Sequence, residues 1–438
     1  MKNRYLLAGL LLAIQIVAFG QDRPAYQLIA ENPDRAACNM HSYEFKPIAD
    51  TKAPEGFIPV YVSHYGRHGS RHDISSSTVD QAVQILSKAD SLGQLTEAGR
   101  ELLSKVGAIA QEHVGMGGEL TPRGGREHQQ LAARMVWRFP EVFVPGRDVK
   151  AVASTVQRCI VSMGNFTASL KGQVPGLVLE LTSGERYSPV IRPGEGGNSS
   201  NAGSRGNGDQ GRGSANNASG QRSGGGPGRN SEPLKGDYSA FLSKVFVNNN
   251  APGIDRNVLL RSVYKAGSLC QDLDFLGIDI FRTYFTVDEL YNLWEQENSS
   301  LYGRWGNSVE SGGTYGQKAL PLLEDIINKA DAAMSDGNRA ADLRFGHDMG
   351  YMALCCLLGI DSREGGSYRT AEASGHWFSF DIVPMAANIQ FIFYRNASGK
   401  ILVKVLRNEE EVLIPGVSPV EGPYYDWSVF KNKFVDLL

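Results

Sequence analysis

The chain has 438 residues, 42% hydrophobic and 21% charged, which is ample material for a sizeable core and far from the composition of a disordered chain. Its 44 Lys and Arg against 47 Asp and Glu leave a formal net charge of −3; nucleic-acid binding, which needs a strongly basic face, finds no support there. The five cysteines, Cys38, Cys159, Cys270, Cys355 and Cys356, are too few for a disulfide scaffold and show no metal-ligand spacing, and their odd number leaves at least one unpaired within the chain.

At the N-terminus Lys2 and Arg4 precede an apolar run over 6–18 that ends in small residues at Ala18 and Gly20. This is the pattern of a secretory signal peptide over 1–20, cut before Gln21. The run is shorter than the roughly 18 residues of a spanning helix, and no later segment is long and apolar enough to span a membrane. No cysteine directly follows the cleavage site to carry a lipid. A soluble mature chain, periplasmic or secreted, is expected.

Beyond the leader, helical and strand signals alternate, which predicts an α/β fold. Phe-Ile-Pro-Val-Tyr-Val-Ser at 57–63 reads as a buried strand running into a glycine-punctuated turn. Amphipathic helices are expected over 96–110 and 125–138, and a short strand over 149–153. From 194 to 232 the chain is almost entirely Gly, Ser, Asn, Arg and Gln, with little to bury, so a flexible loop is expected there. Thr286-Val-Asp-Glu289 has the form of a capping box, and 320–334 continues in helical period. Strands are expected over 389–394 and 401–406. The pattern predicts a sheet domain flanked by helices, built from 21–165 and 340–438, with a mostly helical lobe over 166–339 that contains the loop.

Chemistry concentrates in His64-Tyr-Gly-Arg67-His68-Gly69-Ser70-Arg71-His72, just past the first predicted strand, where ligands of open α/β sheets bind. Guanidinium groups at Arg67 and Arg71 match the charge and acceptor geometry of a phosphoryl group. Gly69 lets backbone approach a phosphate without a Cβ in the way, and a neutral His68 imidazole is a competent nucleophile toward phosphorus. Two other readings compete: a metal site from His64, His68 and His72 at four-residue spacing, and a solvated basic turn. Gly66 and Gly69 argue against the helix that the first would need.

Further motifs follow in order: Leu120-Thr-Pro-Arg-Gly124, Ser154-Thr-Val-Gln-Arg158-Cys-Ile-Val-Ser162, Gly346-His347-Asp348, Ile382-Val-Pro-Met-Ala-Ala-Asn388 and Asn408-Glu409. With Arg67-His68-Gly69-Ser70-Arg71, the set resembles the second branch of the histidine phosphatase superfamily, the histidine acid phosphatases and phytases. The last two motifs are similar to its multiple inositol polyphosphate phosphatase group. The resemblance implies His68 as nucleophile, Arg67, Arg71 and Arg158 as a phosphate clamp, His347 as a further donor to the phosphoryl oxygens, and Asp348 as general acid and then base. It departs at Asp73, where the family motif has proline, and at His347-Asp348, where the inositol polyphosphate group has His-Ala-Glu.

The resulting expectation is a phosphomonoester hydrolase working through a phosphohistidine on a phosphorylated small molecule, inositol polyphosphates such as phytate first. No metal or cofactor is expected, nor a nucleic-acid partner. A broad-specificity histidine acid phosphatase is the alternative, and a phosphate-ligand binding protein that lost turnover is the competitor from another class. A phosphomutase of the superfamily's other branch is disfavoured by the leader and by His347-Asp348.

Overall fold

Alternation along one central strand separates two apolar cores. In β1 (Ile58–Arg67), Tyr61 and Tyr65 enter one core while Val62 enters the other, as the two-residue period of a strand requires. β5 (Asn388–Arg395) repeats the pattern, with Ile389, Phe391 and Phe393 on the first side and Ile392 and Tyr394 on the second. The second core is closed by the Pro122–Arg138 and Gln157–Gln173 helices through Leu131, Met135, Met163 and Phe166. Most of the remaining helices pack on the first.

This computed structural model describes residues 23–194, 233–249, 252–362, 364–435 and 437. The expected leader, 1–20, and the Gly/Ser/Asn-rich stretch 194–232, Gly194 aside, lie outside the described residues. Among the described residues no helix is long and apolar enough to cross a membrane.

The other strands are β2 (Asp148–Ala153), β3 (Val178–Ser183), β4 (Arg339–Gly346), β6 (Ile401–Arg407), β7 (Glu410–Glu411) and β8 (Tyr424–Asp426). Their order is β3-β2-β4-β1-β5-β6-β7, with β8 on β6. β1, β2, β3 and β4 are mutually parallel, whereas β5 and β6 run antiparallel to their neighbours. The fold is thus α/β, a mixed eight-stranded sheet flanked by helices. β3, within 166–339, serves as the edge strand of this sheet, so that segment supplies a strand as well as helices.

Two boundaries differ from the sequence expectation by more than two residues, each for a visible reason. β1 does not stop at Ser63 but runs through Gly66 to Arg67, because β4 and β5 pair with it on both sides as far as that end. The second amphipathic helix starts at Pro122 rather than 125: Thr121 caps it through the Gly124 N–H, and Pro122 occupies the first turn, where its missing N–H costs nothing. The capping box at Thr286 and Glu289 forms, opening the Val287–Trp305 helix.

The start of the Pro122–Arg138 helix lies directly on the loop that follows β1. Thr121 donates its N–H and its hydroxyl to the Ser70 carbonyl oxygen, at 2.9 and 3.0 Å. A Cβ at Gly69 would fall 2.6 Å from the Gly124 carbonyl oxygen, and one at Gly124 would collide with the Ser70 carbonyl oxygen. Backbone meets backbone here, so neither side can yield by a rotamer change. Gly124→Ala is therefore expected to cost about 1–3 kcal/mol of stability despite the better helix propensity of alanine. Gly125→Ala, whose Cβ would come nearest to the Asn165 side chain, at 3.1 Å, should cost less. Unfolding midpoints of the two variants measure this; a Gly124→Ala protein as stable as the parent would contradict the close approach.

Candidate active site

Three parallel strands deliver the polar residues to one place. β1 and β4 are in register at Arg67 and Gly346, and the His68 N–H donates to the Gly346 carbonyl oxygen at 3.0 Å. The residues that follow the two strands, His68 and His347, therefore stand side by side, with ring centroids 5.7 Å apart and edge to face. β2, on the other side of β4, ends at Ala153 opposite Phe345. Ser154 then bonds back to Phe345 and the chain enters the Gln157–Gln173 helix, which carries Arg158 in its first turn. Carboxyl ends of adjacent parallel strands are where open α/β sheets place their ligands.

Each predicted residue has a definite environment. His68 is 2% exposed, and its Nδ1 lies 3.0 Å from the Gly69 carbonyl oxygen. A carbonyl can only accept, so Nδ1 carries the proton and Nε2 keeps its lone pair. Burial, followed by the charges of Arg158, Arg67 and Arg71, holds the His68 pKa well below its ordinary value. The ring is neutral throughout the physiological range.

Asp348 opens the Asp348–Leu358 helix, with His347 as its N-cap residue. Its Oδ1 accepts the Met349 N–H at 3.0 Å, and its Oδ2 accepts from Arg67 Nη2 at 3.1 Å and from Asn39 Nδ2 at 3.4 Å. Burial raises its pKa, but Arg67 in contact, with Arg71 and Arg158 beyond, outweighs that and leaves the carboxyl below its ordinary value.

The three arginines are held differently. Arg67 is fully buried and spends Nη1 on the Asn39 and Val383 carbonyl oxygens, at 2.6 and 2.8 Å, and Nη2 on Asp348. Much of its bonding is therefore inward. Arg71 reaches the His72 carbonyl oxygen at 2.8 Å and the Met40 sulfur at 3.7 Å. Arg158 makes only long contacts, 3.5 Å to the Gly118 carbonyl oxygen and 3.5 Å to His347 Nδ1. In all three the Nε–H is buried without a hydrogen-bond partner. Such unmet donors are rare in proteins and are expected where a ligand completes the bonding.

His347 is pushed down to about 3 by burial and then by Arg158, so it too is neutral. Its Nε2 lies 3.0 Å from Ser154 Oγ and 3.6 Å from Cys159 Sγ. All five cysteines are buried free thiols.

The three histidines of the four-residue repeat do not share a helical face. His64 lies within β1 against Phe166 and Phe345, at 5.4 and 5.5 Å between centroids. His72 packs edge to face on His113 at 5.3 Å. Sequence reasoning missed Asn39, which touches both Arg67 and Asp348 from a segment about 300 residues away from the latter, with nothing local to mark it.

The two C-terminal motifs act behind the loop rather than in front of it. Within 382–388, the Val383 and Ala387 carbonyl oxygens accept from Arg67, and the Ala386 N–H donates to the His68 carbonyl oxygen. Asn408, at positive φ, clamps that segment by bonding the Asn388 backbone on both sides and the Asp381 and Ile382 carbonyl oxygens. Glu409 is tied to Arg134 at 2.8 Å.

No family model matches the sequence, and no curated protein matches it. Solved structures do. The multiple inositol polyphosphate phosphatase of Bifidobacterium longum, in complex with inositol hexasulfate, superposes with a TM-score of 0.68 at 18% identity, over 91% of this chain and 97% of that one. The phytase of D. castellii gives 0.64 at 14% identity, over 92% and 85%. The Hafnia alvei phytase gives 0.50 at 14%, over 88% and 98%. In its fold, therefore, this chain is similar to these inositol polyphosphate phosphatase and phytase structures.

Proposed function

We propose that the protein is a phosphomonoester hydrolase that works through a phosphohistidine at His68, with inositol polyphosphates, phytate among them, as substrates. The observation that carries this reading is a neutral histidine with its lone pair on Nε2, surrounded by three arginines whose Nε–H donors are buried and unmet. A phosphate monoester supplies what that arrangement lacks: several acceptor oxygens, negative charge and an electrophilic centre. Similarity in fold to the phosphatases named above supports the same reading.

In the proposed reaction His68 Nε2 attacks phosphorus, the P–O bond to the leaving alcohol breaks, and Asp348 delivers the proton that the departing oxygen needs. Asp348 then removes a proton from water, which attacks phosphorus and breaks the N–P bond, releasing phosphate and restoring both groups. Arg158 and Arg71 bind the phosphoryl oxygens. Arg67 contributes chiefly by fixing Asp348. The Ser154 hydroxyl can donate to His347 Nε2, which places the ring proton on Nδ1; that atom lies 3.5 Å from Arg158 Nη2, so the two donors can share one phosphoryl oxygen. None of these steps requires a metal. The leader over 1–20 supports export to a periplasm or beyond as the site of action.

The pH dependence follows from the arginine field. In the free enzyme the arginines hold Asp348 below its ordinary pKa, and a phosphate dianion seated on them cancels part of that field, so the carboxyl holds its proton to higher pH in the complex. Activity on an alkyl phosphate is expected to be highest below neutrality, with the alkaline limb of kcat at higher pH than that of kcat/KM. Coincident limbs would exclude Asp348 as the group that titrates.

Substrate class is tested by the ratio of kcat/KM for phytate to that for a small sugar phosphate at acidic pH, because specificity is a difference in transition-state binding. A ratio well above one is expected. A preference for the small ester would make the protein a broad-specificity acid phosphatase, with the same residues in the same roles.

A further inference from the structure

Beneath the loop after β1 lies a second cluster that the proposed reaction does not use. Four side chains from four separate segments meet there: Ser42, Ser70, Glu127 and Asp272. Their exposures are 2%, 0%, 2% and 0%. Glu127 Oε1 accepts the Ser70 hydroxyl at 2.8 Å, Ser70 Oγ lies 3.0 Å from Ser42 Oγ, and Ser42 Oγ lies 3.2 Å from Asp272 Oδ1. Asp272 Oδ2 is buried with no partner.

Counting hydrogens fixes the protonation. The row of oxygens from Glu127 through Ser70 and Ser42 to Asp272 contains three close contacts, and the two serines bring two hydroxyl hydrogens. Were both carboxyls ionised, one contact would be lone pair against lone pair, among four side chains that are all shielded from solvent. A third hydrogen removes the conflict. Burial raises the pKa of the Glu127 carboxyl, but the hydrogen sits less well there: Glu127 already accepts the Ser70 N–H at 2.8 Å and the Tyr43 N–H at 3.0 Å and has Arg123 Nε at 3.9 Å, and those groups oppose the burial and favour the carboxylate. Asp272 accepts no backbone N–H and forms no ion pair among the described residues, and an unpaired buried carboxylate costs far more than an unpaired acid.

We propose that Asp272 is a neutral carboxylic acid whose proton completes the hydrogen-bonded chain Asp272 to Ser42 to Ser70 to Glu127, making it a positioning residue that fixes Ser70 and, next to it, Arg71. The part assigned to Arg71 rests on the phosphatase reading; the proton does not. Charged and titratable groups facing Asp272 are Glu127 from the Pro122–Arg138 helix, Arg71 and Arg67 from the loop and the end of β1, and Cys270 from its own segment. Burial first, and Glu127 second, lift Asp272 to about 8, against the smaller downward pull of the two hydroxyls and Arg71. Asp272 follows the Arg256–Leu269 helix, so one acid proton ties the segment between β3 and β4 to the loop at the end of β1.

An acid whose folded pKa is raised keeps its proton in the folded state after the unfolded chain has lost it. Stability then falls as pH rises from the unfolded value of about 3.9 toward the folded one, and the fall ends above it. Asp272→Asn removes this dependence while its Nδ2–H replaces the acid O–H as donor to Ser42. Melting temperatures of the full chain and of Asp272→Asn should therefore diverge, the balance moving in the variant's favour from about pH 4 to about pH 8 and then levelling. The infrared difference between the two proteins should show a carboxylic C=O band that persists through neutral pH and fades only around pH 8, as Asp272 ionises in the folded protein. At acidic pH, kcat/KM of the variant should stay within about twofold of the parent, since the loop remains fixed. A margin independent of pH, absence of the band, or a folded variant with a tenfold or greater loss of kcat/KM would each overturn the assignment. A wild-type protein inactive on every phosphoester would instead overturn the phosphatase reading, and the melting and infrared results would still decide the proton.

Discussion

The parallel register of β1 with β4 is the constraint on which the site depends. Pairing Arg67 with Gly346, and the 3.0 Å bond from the His68 N–H to the Gly346 carbonyl oxygen, bring together residues about 280 positions apart in sequence. A shift of one residue would turn every side chain of β1 to the other face, exchanging Tyr61 and Tyr65 with Val62 between the two cores. The apolar packing that stabilises the sheet is thus also what aligns His68 with His347 and Asp348.

Around that register the protein accepts an electrostatic arrangement that would be costly in an ordinary core. Three arginines lie close together, two histidines are held neutral by burial and by those arginines, and two carboxylates meet them, Asp348 at Arg67 and Asp73, at 3.7 Å, at Arg71. Buried cations with unmet N–H groups are destabilising unless paired. Much of the surrounding structure offsets this strain: the Asn39 and Val383 carbonyl oxygens take up Arg67, and Asn408 holds the 382–388 segment in place. The two C-terminal motifs that suggested the substrate class therefore have a mechanical part in the fold, supporting the backbone of the loop.

The loop and its arginines were legible in sequence because the chemistry is local: an apolar run, then His, Arg and Gly within a few residues. So was the α/β class, which needs only alternating helical and strand periods. What could not be read is what pairing decides. β1 continues through His64-Tyr-Gly-Arg67, a stretch whose glycine suggests a turn, because two partner strands supply hydrogen bonds on both sides. Asn39, Glu127 and Asp272 carry no local mark, since, Arg123 beside Glu127 aside, their partners lie 28 or more positions away, and up to 309 for Asn39 with Asp348. The four-residue spacing of His64, His68 and His72 suggested a shared face that a strand followed by an irregular loop does not create.

The central claim is that a nitrogen of His68, and no carboxylate, takes the phosphoryl group. Its most direct test is rapid quenching of turnover on phytate labelled in phosphate, followed by mapping of the labelled peptide. The account predicts label on His68 that is acid-labile and base-stable, absent from His68→Ala. Label that survives acid but not base, or that persists in His68→Ala, would place the phosphoryl group on another residue and contradict the account.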